Sequence, residues 1–294
     1  MRPPDESPWL RGSPAEEGRT VADVLAPLLP PQALRGSVLF VAAHPHDEVL
    51  GASWLLSRGP GCHVIHVTDG APRDASLRAP GAPPTREAYA RIREEESLAA
   101  LRLAGLSEDQ LFSLGAVDQE ATLELIGLTH CLVALVKAFR PALLVVHPYE
   151  GGHPDHDSAA FISHAAVALI GRAGRTPPIL LEMTSYHRHQ EALVTGEFLP
   201  PPEGHKVATV PFTEAERAAK QRMLACCASQ SRGLESFNVG QERYRAAPHY
   251  DFTRPPHEGR LQYETFGWGM TGARWRELAR QALKELKLPE TPWH

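Results

Sequence analysis

Apolar residues form one strand-length run near the start of the chain, and a dense polar cluster follows it directly. The run covers Val38–Ala43, and unbroken apolar runs of this length are typical of strands buried on both faces of a sheet. The cluster His44–Glu48 contains two histidines, a proline and two carboxylates. Apolar residues resume in Val49–Ser57, which is predicted as a helix. Open α/β sheets present their functional residues in this order of strand, polar turn and helix.

The same arrangement occurs again further along the chain. Ala142–Val146 is a second fully apolar strand, and the segment His147–Asp157 after it holds more histidines and carboxylates. Ser158–Arg172 is predicted as the next helix. Because the carboxyl ends of neighbouring parallel strands lie at one edge of a sheet, we expect the two polar clusters to lie close together.

The rest of the chain alternates between strands and helices. The other predicted elements are a short helix at Val21–Leu29, strands at His63–Thr68, Gln110–Leu114 and Pro178–Ser185, and helices at Arg86–Leu103, Leu123–Phe139, Glu214–Ser229 and Gly272–Leu286. This alternation predicts an α/β fold, a Rossmann-like three-layer sandwich with a mostly parallel central sheet.

We predict three parts in the chain. Residues 1–35 form an N-terminal arm, residues 36–232 the α/β domain, and residues 233–294 a C-terminal extension packed on the same domain. The loop at residues 71–85 is longer than compact domains usually tolerate without a function, such as that of a lid.

Composition narrows the possible functions. The chain has 294 residues, 43% of them hydrophobic and 22% charged, as in an ordinary globular protein. Its net charge of -5 does not favour nucleic-acid or membrane-surface binding. Since we find neither a run of membrane-spanning length nor a signal-peptide pattern, we expect a cytoplasmic protein. The four cysteines form neither a disulfide framework nor a CxxC zinc pattern.

The two clusters combine side chains that bind metal ions. Neutral imidazole and carboxylate oxygens are the usual ligands of a catalytic zinc, which keeps one position open for water. Three ligands from two neighbouring strand ends could meet at one point above the sheet. Alternatively, the same residues form turns and cap helices, as Asp often does. The presence of two such clusters after two buried strands favours the metal site.

With these motifs the chain resembles the LmbE-like (PIG-L-type) zinc-dependent deacetylases, which act on N-acetylglucosamine groups. The first family motif, Ala-His-Pro-Asp-Asp-Glu, corresponds to Ala43–Glu48, and the second, His-Pro-Asp-His, is intact as His153–His156. The supporting matches are Thr68–Gly70, the helix pattern from Arg93 to Gly105, and the pattern from Lys220 to Gln230. The resemblance covers most of residues 37–232.

The resemblance implies a hydrolase that removes an acetyl or similar acyl group from the amide nitrogen of an amino sugar. It implies His44, Asp47 and His156 as ligands of zinc, with ferrous iron as the other candidate metal. His153 would stabilise the tetrahedral oxyanion and protonate the leaving amine, and Asp155 would orient His153. The implied reaction is attack of metal-bound hydroxide on the acetamide carbonyl.

Three further residues are predicted to contact substrate. Arg93 and Asp118 fall where the family has sugar-contacting residues. Tyr149 lies beside the second motif, at a strand end, where it could line the pocket.

The chain departs from the family at His46, where the family has its Asp general base. A histidine near its unperturbed pKa of about 6.5 is a capable base, so we predict this role for His46. Two alternatives remain at this point: His46 enters the metal sphere, or the chain is a non-catalytic sugar- or metal-binding homologue that lost its base.

A different enzyme class is also compatible with part of the pattern. His46–Glu48 matches half of a two-histidine, one-carboxylate iron site, although such sites usually occur on antiparallel jelly rolls. For the deacetylase, the expected partner is a small-molecule or glycoconjugate amino sugar. The sequence leaves the substrate, the native metal and the formation of a homo-oligomer open.

Overall fold

The structure is a computed structural model that describes residues 20–31, 33–58, 61–200 and 205–290. Most of the predicted N-terminal arm, residues 1–19 and 32, lies outside the described residues. The helix predicted in this arm is present as α1, Val21–Leu25, and is shorter than expected. It begins with a capping box in which Thr20 and Asp23 each accept a backbone hydrogen bond from the other.

A seven-stranded sheet forms the centre of the described fold. The nine strands are β1 (Val38–Ala42), β2 (His63–Thr68), β3 (Leu111–Ala116), β4 (Leu143–Val146), β5 (Ile179–Met183), β6 (Tyr186–His189), β7 (Ala192–Thr195), β8 (Val207–Pro211) and β9 (Gln241–Ala246). The sheet order is β3-β2-β1-β4-β5-β9-β8, and β6 pairs with β7 in a separate hairpin. Strands β1 to β5 run parallel, whereas β9 is antiparallel to both its neighbours.

Helices cover both faces of this sheet. Besides α1, the described chain forms the helices α2 (Asp47–Leu56), α3 (Arg86–Leu103), α4 (Leu125–Phe139), α5 (Pro154–Arg172), α6 (Glu214–Ala225), α7 (Ser231–Leu234) and α8 (Gly272–Glu285). Side chains of β1 alternate between two cores: Leu39 packs with α4, α5 and α8, and Phe40 with α1, α2, α3 and α6. The predicted three-layer α/β architecture is confirmed, and β1 and β4 are buried along their whole length.

The C-terminal residues are part of this architecture. Strand β9 lies between β5 and β8 in the sheet, and α8 buries Trp275 and Leu283 in the core beside α4 and α5. These elements fall within the segment predicted as an extension, residues 233–294.

One stretch of the described chain, Ala121–Phe139, is long and apolar enough to cross a membrane by length and composition. It contains α4, whose residues Leu128, Leu132 and Val136 are buried in the core. Core helices of globular domains pass the same test, so the stretch is weak support for a membrane span.

The strand order reverses between β1 and β4. To one side the chain continues through β2 and β3, and to the other through β5. Open α/β sheets have a crevice at the carboxyl ends of the strands at such a reversal, and ligands bind there. Both polar clusters of the sequence emerge at this crevice.

Candidate metal and catalytic site

The two motifs lie side by side because β1 and β4 are adjacent and parallel, with Phe40 paired to Val145. The first motif leads from β1 into α2, and the second leads into α5. His153 is the N-cap of α5, followed by a proline in the first turn, and its Nδ1 accepts the backbone N–H of Asp155 at 3.1 Å. The cap fixes the ring of His153 at the start of the helix.

The turn before α2 is strained at His46. Its φ of 119° lies in the left-handed region, which a residue with a side chain occupies only when its surroundings hold it there. Arg93 binds the carbonyl oxygen of Pro45 at 2.8 Å, and Glu48 Oε2 accepts the backbone N–H of His46 at 3.3 Å. These contacts hold the backbone of the turn in the conformation in which the side chains of the first motif face the crevice.

Gly152, just before the second motif, allows the β6–β7 hairpin to approach the site. A Cβ at this position would lie 2.0 Å from the carbonyl oxygen of Tyr186. Tyr186 in turn packs its ring against His156, with 5.2 Å between the ring centroids. A side chain at position 152 would displace the hairpin and, with it, the ring of Tyr186 that packs against His156.

Asp47 Oδ2 is the point at which the clusters meet. It lies 3.1 Å from His44 Nδ1 and 3.4 Å from His156 Nε2. All three side chains are buried, with 8% or less of each exposed. One carboxylate oxygen facing two imidazole nitrogens at these distances matches the donor set of a zinc site.

The far nitrogens of both imidazoles have partners that orient the rings. His44 Nε2 lies 3.2 Å from Asp155 Oδ2, and His156 Nδ1 lies 3.1 Å from Ser185 Oγ. Such outer partners fix the tautomer that turns the other nitrogen toward a metal. His44, Asp47 and His156 are therefore candidate ligands of a divalent metal ion, and each belongs to a group of side chains whose ligand atoms lie within 4.8 Å of one another. Ser185 was not predicted, because it lies on the loop after β5 with no local motif.

His147 also points at this centre. Its Nε2 lies 3.3 Å from Asp47 Oδ2 and accepts the backbone N–H of Ala43 at 3.1 Å. Its ring stacks on that of His156 with 4.1 Å between the centroids. A neutral Nε2 that accepts this N–H carries no hydrogen for Asp47, so His147 supports His156 through ring packing. His147, Asp47 and His156 also form a group that could hold a metal ion.

A second group of possible ligands lies on the other side of His44. His44, Asp118, His153 and Asp155 each offer an atom within 4.8 Å of the others. The Asp155 carboxylate is already held by the backbone N–H groups of Gln119, at 2.6 Å, and Ala121, at 3.1 Å. Asp118 and Asp155 therefore hold the ring of His44 at Nε2, the nitrogen that faces away from Asp47.

The predicted pairing of Asp155 with His153 takes a different form in the structure. The Asp155 carboxylate lies 3.8 Å from His153 Nδ1, beyond hydrogen-bond distance, and the contact to His153 is made by the Asp155 backbone N–H. The carboxylate instead faces His44. Its influence on His153 is therefore exerted through the helix cap.

Burial and neighbouring charges set the protonation of the cluster. Burial lowers the pKa of His46 and of His156 to about 3, so both imidazoles are neutral near pH 7. At His44 burial is outweighed by the nearby carboxylates, foremost Asp118, which raise its pKa well above the usual value. At Asp47 burial is outweighed by the adjacent imidazoles, which lower its pKa well below the usual value.

The residues predicted to contact substrate have different positions. Arg93 is 1% exposed and borders the site cavity, where it donates to Gly70 O, Pro45 O and His46 Nδ1. Its Nη1 makes no hydrogen bond to the described residues. Asp118 also lines the cavity, with Oδ1 3.2 Å from His44 Nε2.

Tyr149 lies elsewhere, contrary to the prediction that it lines the pocket. It is 3% exposed, its ring stacks on Trp275, and its hydroxyl donates to Arg254 O at 2.8 Å. It is a core residue beneath the second motif. Its position at the end of a strand does not determine whether the side chain faces the pocket or the core.

A cavity of about 400 Å³ opens above these residues. Its floor consists of the two motifs, and its upper walls come from the 71–85 loop, the β6–β7 hairpin, the segment around α7 and the C-terminal residues. Besides the motif residues, Arg93 and Asp118, the described residues that line the cavity are Leu50, Pro72, Leu77, Gln119, Tyr186, Leu193, Gln230, Gly233, Leu234, Ser236, Phe237, Gln262, Phe266 and Trp268.

The family model of GlcNAc-PI de-N-acetylases (PIG-L) matches residues 39–167, which include both motifs. No curated protein sequence matches the chain.

Solved structures of deacetylases have a similar fold. A deacetylase of the teicoplanin biosynthesis pathway, in complex with bog, has a TM-score of 0.52 at 17% identity, over 71% of this chain and 96% of its own. N,N'-diacetylchitobiose deacetylase from Pyrococcus horikoshii has a TM-score of 0.50 at 20% identity, over 71% of this chain and 76% of its own. At these identities the structural similarity shows the fold.

Proposed function

We propose that the chain is a metal-dependent hydrolase that removes an acetyl or similar acyl group from the nitrogen of an N-acetylglucosamine-type amino sugar, since the PIG-L family model matches residues 39–167. The observation that carries this proposal is the convergence of His44 Nδ1 and His156 Nε2 on Asp47 Oδ2 at the floor of a cavity. Zinc is the metal we propose, with ferrous iron as the alternative.

The chain's own residues have distinct roles in this proposal. A divalent ion held by His44, Asp47 and His156 would polarise the acyl oxygen and lower the pKa of a water molecule. His153 accepts a backbone N–H at Nδ1, so a neutral ring carries its hydrogen at Nε2 and can donate it to the developing oxyanion. In the net reaction water adds to the acyl carbon, the carbon–nitrogen bond breaks, and carboxylate and amine leave.

Arg93 and Asp118 support a sugar-binding role by position. Arg93 borders the cavity, and its buried Nη1 lies 3.9 Å from Glu96 Oε2 and makes no hydrogen bond to the described residues, so this nitrogen retains a hydrogen to donate to a sugar hydroxyl. Asp118 retains 14% exposure of its side chain and can accept from another. A buried donor without a hydrogen bond is costly, and a sugar hydroxyl bound at Nη1 would remove that cost.

The role of His46 as general base stays a prediction. His46 Nδ1 lies 2.9 Å from Arg93 Nη2, and guanidinium nitrogens can only donate. A neutral His46 ring in this contact carries its hydrogen at Nε2, the nitrogen that faces Asp47 Oδ1 at 3.5 Å. To accept a proton at Nε2, His46 must give up the contact with Arg93.

This contact favours a second candidate function, a metal- or sugar-binding homologue with little or no hydrolytic activity. The two functions differ in acetate release but share the metal site. The iron-enzyme alternative is less compatible, because the sheet is mostly parallel and is not a jelly roll.

The test is acetate release from a panel of N-acetylglucosamine conjugates by the zinc-loaded protein. We expect release by the wild type and its loss in His156→Ala, together with loss of bound zinc measured by mass spectrometry. The matched control is His130→Ala, which removes an exposed histidine on α4. Zinc bound at one equivalent without acetate release from any conjugate would favour the binding protein.

A further inference from the structure

Large apolar side chains are exposed around the mouth of the site cavity. Leu77 is 41% exposed, Leu193 is 47% exposed and Phe266 is 38% exposed, and all three line the cavity. They come from three separate segments: the 71–85 loop, the β6–β7 hairpin and the C-terminal residues. Exposed apolar groups that converge from separate segments on one opening mark a binding surface.

Two series of aromatic rings connect this mouth with the floor of the site. On one wall Phe266 packs on Trp268 with 4.4 Å between ring centroids, and Trp268 packs on His153 at 5.0 Å. In the second series Phe237 meets Tyr186 edge-on with 5.8 Å between ring centroids, and Tyr186 meets His156 edge-on at 5.2 Å. The apolar surface therefore extends from the mouth to His153 and His156.

The charged residues that line the cavity lie in the two motifs or in contact with them. Among the described residues that line the cavity, Asp47, Asp118 and Arg93 are the ones with charged side chains besides the histidines. The lining residues Gln119, Gln230, Ser236 and Gln262 are polar and uncharged. A phosphate or carboxylate on the outer part of a substrate would find no countercharge among these wall residues.

We propose that the substrate carries an apolar aglycone, alkyl or aryl, next to its N-acylated sugar, and that this group binds between Leu77, Leu193 and Phe266. This inference rests on the proposed function for the position of the sugar. The floor is shaped for a polar, hydrogen-bonding group and the mouth for an uncharged apolar one, so the cavity matches an amphiphilic glycoside.

The experiment compares the methyl, butyl and phenyl β-glycosides of N-acetylglucosamine, none of which requires micelles. Each fully buried methylene contributes roughly a fourfold gain in affinity, so three partly buried methylenes give about tenfold. We expect kcat/KM for acetate release from the butyl glycoside to exceed that from the methyl glycoside by about tenfold, and the phenyl glycoside to behave similarly.

Variants at the mouth test the location. In Leu193→Ser we expect the butyl-to-methyl ratio to fall toward one, and Leu77→Ser should act in the same direction. The matched control is Leu103→Ser, which changes an exposed leucine on α3 that does not line the cavity. A variant that is merely less stable would lower both rates and leave their ratio unchanged.

Binding measurements separate this inference from the proposed function. Dissociation constants of the three glycosides are measured by tryptophan fluorescence, since Trp268 borders the cavity. If no acetate is released but the butyl glycoside still binds about tenfold more tightly than the methyl glycoside, the hydrolase fails and the apolar subsite stands. Equal dissociation constants overturn the subsite. Sedimentation of the protein with phosphatidylcholine vesicles, combined with equal constants, would assign the mouth to a lipid surface instead.

Discussion

Arg93 Nη2 lies 2.9 Å from His46 Nδ1, and this contact determines which hydrogen-bonding group His46 presents to the site. Guanidinium can only donate, so Nδ1 accepts and Nε2 carries the hydrogen of the neutral ring. Burial, reinforced by the positive charge of Arg93, lowers the pKa of His46 to about 3. In this arrangement His46 is a donor, whereas the family motif places a carboxylate, an acceptor, at the same position.

The first prediction concerns replacement of His46. We expect His46→Asp to raise kcat/KM for acetate release at least about tenfold, because a carboxylate offers lone pairs without giving up the contact with Arg93. His46→Gln should stay near the wild-type rate, since its amide preserves a donor. Both are measured by steady-state acetate release with zinc-loaded protein.

The opposite pattern would establish His46 as a base. Loss of activity in His46→Gln by about 100-fold or more, with no gain in His46→Asp, would mean that Nε2 releases its hydrogen during turnover. Thermal unfolding of both variants serves as the control, because position 46 has left-handed φ and a substitution there also changes backbone strain.

The second prediction concerns Ser185, which holds His156 Nδ1 at 3.1 Å. Ser185→Ala removes this partner, so the ring of His156 is free to rotate and its tautomer is no longer fixed. We expect zinc affinity to fall about 10- to 100-fold, as for other outer partners of metal-binding histidines. Competition with a chelator measures it.

The matched control for Ser185 is Ser57→Ala, at the exposed end of α2. Ser57 donates to the carbonyl oxygen of Ser53, and the structure shows no hydrogen bond between it and the proposed metal ligands. An unchanged zinc affinity in Ser185→Ala would show that the packing of His147 and Tyr186 alone orients His156.

Much of the fold could be predicted from the sequence because its central strands are buried on both faces. Such strands give unbroken apolar runs, as in β1 and β4, and α3 begins and ends where its pattern predicts, at Arg86 and Leu103. Strand β9 was missed because it contains Glu242 and Arg245. Their burial depends on Lys220 and Glu182, which are distant in sequence, and no local pattern reports such pairs.

The β6–β7 hairpin was also missed. Its turn residues, Gln190 and Glu191, both have positive φ, with values of 46° and 67°. Such turns are usually marked by Asn-Gly or Asp-Gly, and neither residue gives that signal. The hairpin forms one wall of the cavity, so the shape of the mouth could not be predicted, whereas the convergence of the motifs on the floor could.

The third prediction concerns Gly152. In Gly152→Ala the new Cβ would lie 2.0 Å from the carbonyl oxygen of Tyr186, so backbone must move. We expect a loss of stability of about 1–3 kcal/mol, as for overpacked sites, measured by chemical denaturation. Acetate release should fall as well, because Tyr186 packs against His156.

Gly171→Ala is the matched control for Gly152. Gly171 lies in α5, and a Cβ there would meet Pro177 at 3.9 Å, an ordinary contact. Alanine favours the helix, so this variant should be more stable by up to about 1 kcal/mol. If Gly152→Ala were as stable as Gly171→Ala, the hairpin would be free to shift away from the site.

The fourth prediction concerns the thiols and their dependence on pH. Burial raises the pKa of Cys62 and of Cys227 to about 12, so at pH 8 only about one in 10⁴ of these groups is a thiolate. Cys131 is exposed on α4. Because the thiolate is the reactive form, iodoacetamide at pH 8 should modify Cys131 and leave Cys62 and Cys227 intact, as measured by peptide mass spectrometry.

The pH dependence of the modification rate shows whether Cys62 is protected by burial or only by its low fraction of thiolate. Below a pKa of about 12 each unit of rising pH increases the thiolate fraction of Cys62 tenfold, but reagent must still reach a side chain that is 2% exposed. Modification of Cys62 should therefore stay slow at pH 9 and become rapid only in denaturant. Rapid modification of Cys62 in the native protein would mean that the core beside β2 opens, and the α2 end of the fold would then be less rigid than its packing indicates.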